Sequence, residues 1–316
     1  MCIAIVTTAH PQFPFILLSN RDEFLGRPTA PAGWWQTPNE HVLGGRDLRR
    51  PEQGTWLGIN RDGRFAVLTN YREEGQVIYG VKSRGGIIKD FLTTPLSSEE
   101  TTEEYARQLF DGEGVNAVGG FNLLFGKIQD IVLRTNKGLA IVSNRTADIH
   151  SVSWIASQPG ETHAMSNSWY GDNSWPKIVH GERLTKEAIS ESVEKEEDKD
   201  TLIERLFVVL HTDTLPRPKP GETLEIYLRQ LQNSIFIPTI GGPELDGTPA
   251  DAVAAAKDHK AVEVDGGLYG THQQSIILVD QKGMVTYVER TLARTGDNPN
   301  HEKDTEKKYE FRIEGW

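Results

Sequence analysis

Met1-Cys2-Ile3-Ala4-Ile5-Val6 opens the chain, and Ser19-Asn20-Arg21-Asp22-Glu23 follows one turn later. Residues 2–7 and 15–19 are β-like runs on either side of His10-Pro11-Gln12-Phe13-Pro14, a pattern that predicts a hairpin. Pairing of the two runs brings Asn20-Arg21-Asp22 back beside Cys2, the single cysteine of the chain. An initiator Met before so small a residue is normally trimmed, which would put the thiol and a free α-amine on one residue. A thiol titrates near about 8.5 and an α-amine near about 7.7–8.0, so at neutral pH the amine can act as the thiol's base. A nearby guanidinium favours the thiolate, and an aspartate can orient the amine or the guanidinium. The competing reading of Cys2 is a small buried hydrophobe at the start of an ordinary strand.

Working outward, residues 27–39 read as a Pro- and Trp-containing loop. Short strands follow at 42–47, 54–59 and 64–70, with the Asp-Gly turn chemistry of Asn60-Arg61-Asp62-Gly63 between the last two. This spacing predicts an antiparallel meander. Helical periodicity appears at 83–92 and after Thr101-Thr102-Glu103-Glu104. Strands resume at 120–126, 131–134, 139–143 and 163–166. A second helical block starts at Ser174-Trp175-Pro176, with Pro in its first turn, and continues at 202–210. The last strands are 270–280 and 284–290, and residues 309–316 dock back. The order of strands and helices is not a βαβ alternation and predicts an α+β fold with helices covering antiparallel sheets. One domain over 1–316 is expected, with flexible segments at 190–200, 241–260 and 294–308.

Composition narrows the function. A formal charge of −11 and a pI near 5.4 argue against broad contact with a phosphate backbone or an anionic membrane, so no nucleic-acid partner is expected. One cysteine excludes an internal disulfide framework and a cysteine-based zinc site. No run is long enough to span a bilayer, and the apolar start ends at Val6 without the basic region of a signal peptide. A cytoplasmic location is expected, with association to the Golgi or mitochondrion left open. The histidines show no ligand spacing, Asp22, Glu23 and Asp47 are better used on arginines than on a cation, and no cofactor or metal is expected. Neither a heptad repeat nor a basic amphipathic helix supports a tethering role.

Asn20-Arg21-Asp22-Glu23 behind Met1-Cys2 resembles the signature of the NRDE family, that of the transport and Golgi organisation 2 proteins. The likeness continues through Gly44-Gly45-Arg46-Asp47, Gly54-Thr55-Trp56-Leu57-Gly58, Leu68-Thr69-Asn70, Ser83-Arg84-Gly85, Gly120-Phe121-Asn122, Ser166-Asn167, Trp175-Pro176-Lys177 and Tyr269-Gly270-Thr271. It implies an N-terminal nucleophile (Ntn) hydrolase-like fold, a four-layer αββα sandwich of two antiparallel sheets. It also implies a catalytic set of Cys2, Arg21, Asp22, Asn70 and Asn167, with Asn20, Glu23 and His272 as substrate-binding residues. Cys2 would attack an acyl carbon, Asn70 would donate to the oxyanion, and Asn167 would hold the substrate or the amine. The family carries an Arg after Tyr-Gly-Thr where this chain has His272, which would leave the site one cation short above the imidazole's own pKa. Two functions are implied: hydrolysis or transfer of an acyl group from a small amide or thioester, or non-catalytic carriage of an acyl-CoA, a lipid or haem.

Overall fold

Period-two alternation along the first strand sets the layers. In β1 (Ile3–Thr7), Ala4 and Val6 enter one buried cluster while Ile3 and Ile5 enter another. The strand is therefore apolar on both faces, and it lies inside the molecule. The computed structural model describes residues 2–71, 83–111, 118–219, 222, 227–241, 268–292 and 305–316.

Two antiparallel sheets are stacked. The first has six strands in the order β10 (Thr162–Met165), β1, β2 (Phe15–Phe24), β11 (Tyr269–Val279), β12 (Met284–Thr291) and β13 (Thr305–Arg312). The second is a seven-stranded meander, in chain order: β3 (Thr29–Trp34), β4 (Val42–Asp47), β5 (Leu57–Asn60), β6 (Arg64–Asn70), β7 (Phe121–Lys127), β8 (Leu139–Ser143) and β9 (Ser153–Ile155). Between them Ala4, Val6 and Leu17 meet Leu57, Phe65 and Val67. Helices α1 (Arg84–Leu92) and α2 (Thr102–Asp111) cover the outer face of the second sheet, packing Phe91 and Tyr105 on Phe121 and Phe125. A short α3 (Ile128–Val132) follows β7. On the far side α4 (Pro176–Glu194) and α5 (Lys199–Leu210) cover the first sheet, with Ile178, Leu202 and Leu206 on Ile3, Ile5 and Ile16. The layers run α, β, β, α, as the resemblance implied.

Three elements depart from expectation. Within the expected loop 27–39 lies β3, an edge strand whose pairing with β4 shifts register between Ala30 and Gly33, around Pro31. A proline without an N–H is accommodated at such an edge bulge. The strand expected at 131–134 is instead the end of α3: Ile128 and Ile131 share the inter-sheet core at helical spacing, and Asp130 takes the side chains of Thr135 and Asn136. Finally, the charged run 190–200, expected as flexible, forms the end of α4, the corner at 195–198 and the start of α5. Arg205 pairs there with Glu191 and Glu197, and Asp198 caps α5 by accepting from Thr201 N at 2.8 Å. Of the other two expected flexible segments, 242–260 and 294–304 lie outside the described residues, and Thr305–Lys308 opens β13.

Candidate active site

Ile3 pairs with Asn20 across β1 and β2, so the next position, Cys2, falls opposite Arg21 at one end of the sheet. The thiol donates to the Asp22 carbonyl at 3.8 Å. Burial pushes this thiol up from its ordinary value, and the Arg21 guanidinium works against that rise.

Arg21 reaches between the sheets. It lies over the Trp56 ring at 4.2 Å, with Nη2 3.6 Å from Glu23 and Nη1 3.5 Å from His272 Nδ1. Glu23 also stands 3.8 Å from Arg27, which pairs with Asp47 at 2.6 Å. Burial alone would raise the Glu23 carboxyl, but the two arginines outweigh it and hold the group below the ordinary carboxylate range. Glu23 and Asp47 are thus both engaged with arginines.

Asp22 faces the opposite way. Its Oδ1 accepts from Thr271 Oγ1 at 2.7 Å, and its carbonyl accepts from the Tyr269 hydroxyl at 3.1 Å. His272 is the extra residue where β11 shifts register against β2, between Thr271 and Gln273. Such bulges re-aim side chains, which brings this imidazole to the guanidinium.

Asn20 is engaged within the protein. Its Nδ2 donates to the carbonyls of Leu210 at 2.8 Å and Ile235 at 2.9 Å, while its Oδ1 accepts from Gln274 at 3.2 Å. These bonds satisfy the buried amide within the protein and tie β2 to the end of α5. Alternation is the cause: neighbours in a strand point to opposite faces, and Arg21 and Asn20 cannot both look between the sheets.

Asn70 and Asn167 come together with Cys2 through a clasp between the sheets. Ser166, just past β10, donates its hydroxyl to the Cys2 carbonyl at 2.7 Å. The Ser166 carbonyl accepts from Thr69 at 2.5 Å and from Asn122 at 3.0 Å, both on the second sheet. Asn167 donates to the Asn70 carbonyl, and Asn70 itself ends β6 as an exposed residue.

Two cations went unassigned in the sequence reading. Lys177, in the first turn of α4, has no exposed surface, and burial pushes its ammonium down from the ordinary lysine value, partly offset by the charges of Asp22 and then Cys2. Arg84, heading α1, donates to the Gly120 carbonyl at 3.0 Å. A signal for Lys177 existed, because it heads the helical stripe of Gly181, Thr185, Ala188 and Ser192, all small and all buried. A lysine on such a stripe points inward.

Cys2 thus lies at one end of the central strands of an αββα sandwich with an Ntn-hydrolase-like fold. The chain belongs to the Transport and Golgi organisation 2 family, whose sequence model matches residues 1–294. It is similar to the Transport and Golgi organization protein 2 homolog of Homo sapiens, 32% identical over 283 residues, 89% of this chain and 87% of that one. The homolog of Bos taurus is 29% identical over 303 residues, covering 96% and 94%. Among solved structures, the Caenorhabditis elegans N-acylethanolamine-hydrolyzing acid amidase ortholog is 11% identical, with a TM-score of 0.40 over 65% of this chain and 85% of that chain.

Proposed function

We propose that the protein is a cysteine hydrolase or acyl transferase of the N-terminal nucleophile type, acting on a small amide or an acyl thioester. One observation carries the reading: Cys2 and Arg21 oppose each other at a sheet end to which Ser166 ties Asn167 and Asn70. In this reading Met1 is removed and the Cys2 amine takes the thiol proton as sulfur bonds to the acyl carbon. The same proton passes to the departing amine or thiolate as its bond to carbon breaks. Water, or an acceptor nucleophile, then releases the acyl group from sulfur. Asn70 and Asn167 serve the oxyanion and the substrate, while Arg21 and Asp22 set the charge at Cys2.

A second reading, carriage of an acyl-CoA, a lipid or haem without turnover, is favoured by the burial that pushes the Cys2 thiol up. The relatives' names associate them with transport and Golgi organisation, and a carrier suits that setting. Intact-mass measurement of the native protein, before and after incubation with mixed acyl-CoAs and N-acyl amides, separates the two. Loss of Met1 and an acyl adduct that disappears in Cys2→Ala support the enzyme. Retained Met1, or ligand bound without a covalent adduct, supports the carrier.

A further inference from the structure

The inward face of the first sheet changes character row by row. Antiparallel pairing aligns Val6, Leu17, Ile277 and Tyr287 across β1, β2, β11 and β12, and all four belong to the inter-sheet core. Two positions along each strand, still on that face by alternation, the row reads Ala4, Ser19, Ser275 and Glu289. Two positions further, Arg21 pairs with Gln273 in the row that Cys2 heads. The interior of a sandwich is ordinarily apolar, and burying a polar side chain there is costly unless it finds a partner. Most of these do. Ser275 and the Ala32 N–H donate to the Glu289 carboxyl at 3.3 and 2.6 Å. Arg21 stacks on Trp56 and turns its nitrogens to Glu23 and His272. Gln273 differs: it is 1% exposed, and its Oε1 has no hydrogen-bond donor among the described residues.

We propose that Gln273 is a specificity-determining residue of the Cys2 site, its carboxamide oxygen accepting a hydrogen bond from an O–H or N–H that the substrate carries several bonds from its acyl carbon. The inference rests on the proposed acyl chemistry at Cys2 and narrows its substrate to one with a hydroxyl, amino or amide donor on the chain that enters between the sheets. Strand spacing sets the reach. Cys2 and Gln273 stand two strands apart, about 9.5 Å between backbones, with Arg21 on the strand between them. An alkyl chain of equal length would lie against Arg21, Gln273, Ser275 and Glu289 and would leave the Gln273 oxygen unpaired. A site built to hydrogen-bond a substrate group discriminates against the analogue that lacks it, because its own buried polar atom is then left without a partner.

The test compares matched probes at one thiol. Cys2 is the only cysteine, so alkylation of the purified full chain reports this site alone. A short series of iodoacetamides is used whose nitrogen carries either an ω-hydroxyalkyl chain or the alkyl chain of equal length, with mass spectrometry confirming the adduct. Dividing the two rates at each length cancels any change in the thiol itself. At the length that reaches Gln273 the hydroxyl probe is expected to react about tenfold faster, and in Gln273→Met the two rates should agree within about twofold. Equal rates at every length in the parent, or a preference that survives in folded Gln273→Met, overturns the proposal. A measurement on the unaltered chain covers a variant that does not fold or a thiol that does not react. With glutamine side chains labelled by 15N, the Gln273 amide signal is expected to shift on titration with the unreactive ω-hydroxyalkyl acetamide and not with its alkyl counterpart. A signal that ignores both, or follows both equally, overturns the proposal as well. A hydroxyl preference without any acyl-enzyme would remove the proposed reaction and leave this subsite standing, and acyl-enzyme without the preference would do the opposite.

Discussion

The hydroxyl of Ser166 donates to the carbonyl of Cys2 at 2.7 Å, so the residue proposed as nucleophile is held by the strand end that also carries Asn167. The Ser166 carbonyl is in turn gripped by Thr69 and Asn122 from the opposite sheet. One residue thus joins the chain start to both sheets. Ser166→Ala removes the side-chain bond and leaves the backbone clasp. It is expected to cost about 1 kcal/mol of stability, the net worth of one such bond. Cys2 loses its anchor, so its alkylation rate at fixed pH should change while that of denatured protein does not. Thermal melts and thiol kinetics on the same samples check both.

Asn20 is expected to matter to folding and not to chemistry. Its amide satisfies two buried carbonyls, those of Leu210 and Ile235. Asn20→Ala leaves both without that donor and should lower stability by about 2–4 kcal/mol. Urea unfolding should show a reduced midpoint with an unchanged slope. A loss of ligand binding or acylation by the remaining folded protein, at full stability, would return Asn20 to the site.

Glu23 and Glu289 should give the stability opposite dependences on pH. Glu23 is held below its unfolded value by Arg21 and Arg27 once their attraction overcomes burial, so its contribution is present above the unfolded pKa, about 4.3. That contribution is lost as pH falls through the lower folded value. Glu289 is the reverse case: burial raises its carboxyl, although Ala32 N donates to it at 2.6 Å. Its contribution is present below the unfolded pKa and is lost as pH rises towards the folded value. Melting temperatures from pH 3 to pH 7 should therefore lose part of their acid limb in Glu23→Gln and part of their decline towards neutrality in Glu289→Gln. Parallel curves for either variant and its parent would refute the assignment for that residue.

How far the site was legible follows from the same strand geometry. The pairing of Cys2 with Arg21 could be read because two alternating runs and a proline turn leave little choice of partner. Less legible is how Asn20-Arg21-Asp22-Glu23 divides between the two faces of β2. A strand sends Asn20 towards Leu210 and Arg21 towards Trp56. The edge strand β3 was hidden by Pro31, because a proline removes the donor by which a strand is recognised. Lys177 escaped notice for a different reason. A charged residue beside a helix start looks solvated until the small residues along its own stripe are counted.

Arg21 offers the sharpest separation of charge from shape. Its guanidinium is stacked on Trp56 at 4.2 Å while it pairs with Glu23 and approaches His272, a geometry that uses a flat, forked cation. Arg21→Lys retains a positive charge but gives up the stack, and is expected to cost about 1 kcal/mol. Arg21→Ala removes the cation beside the thiol, empties volume next to Trp56, and leaves half-buried Glu23 to Arg27 alone. That variant should lose about 3–5 kcal/mol, the scale for breaking a buried ion pair from one side. The pH midpoint of Cys2 alkylation then distinguishes the two roles: it should rise in Arg21→Ala and stay near the parent value in Arg21→Lys. If both variants shift the midpoint equally, the stack on Trp56 rather than the charge governs Cys2, and the electrostatic account of Arg21 gives way to one of positioning.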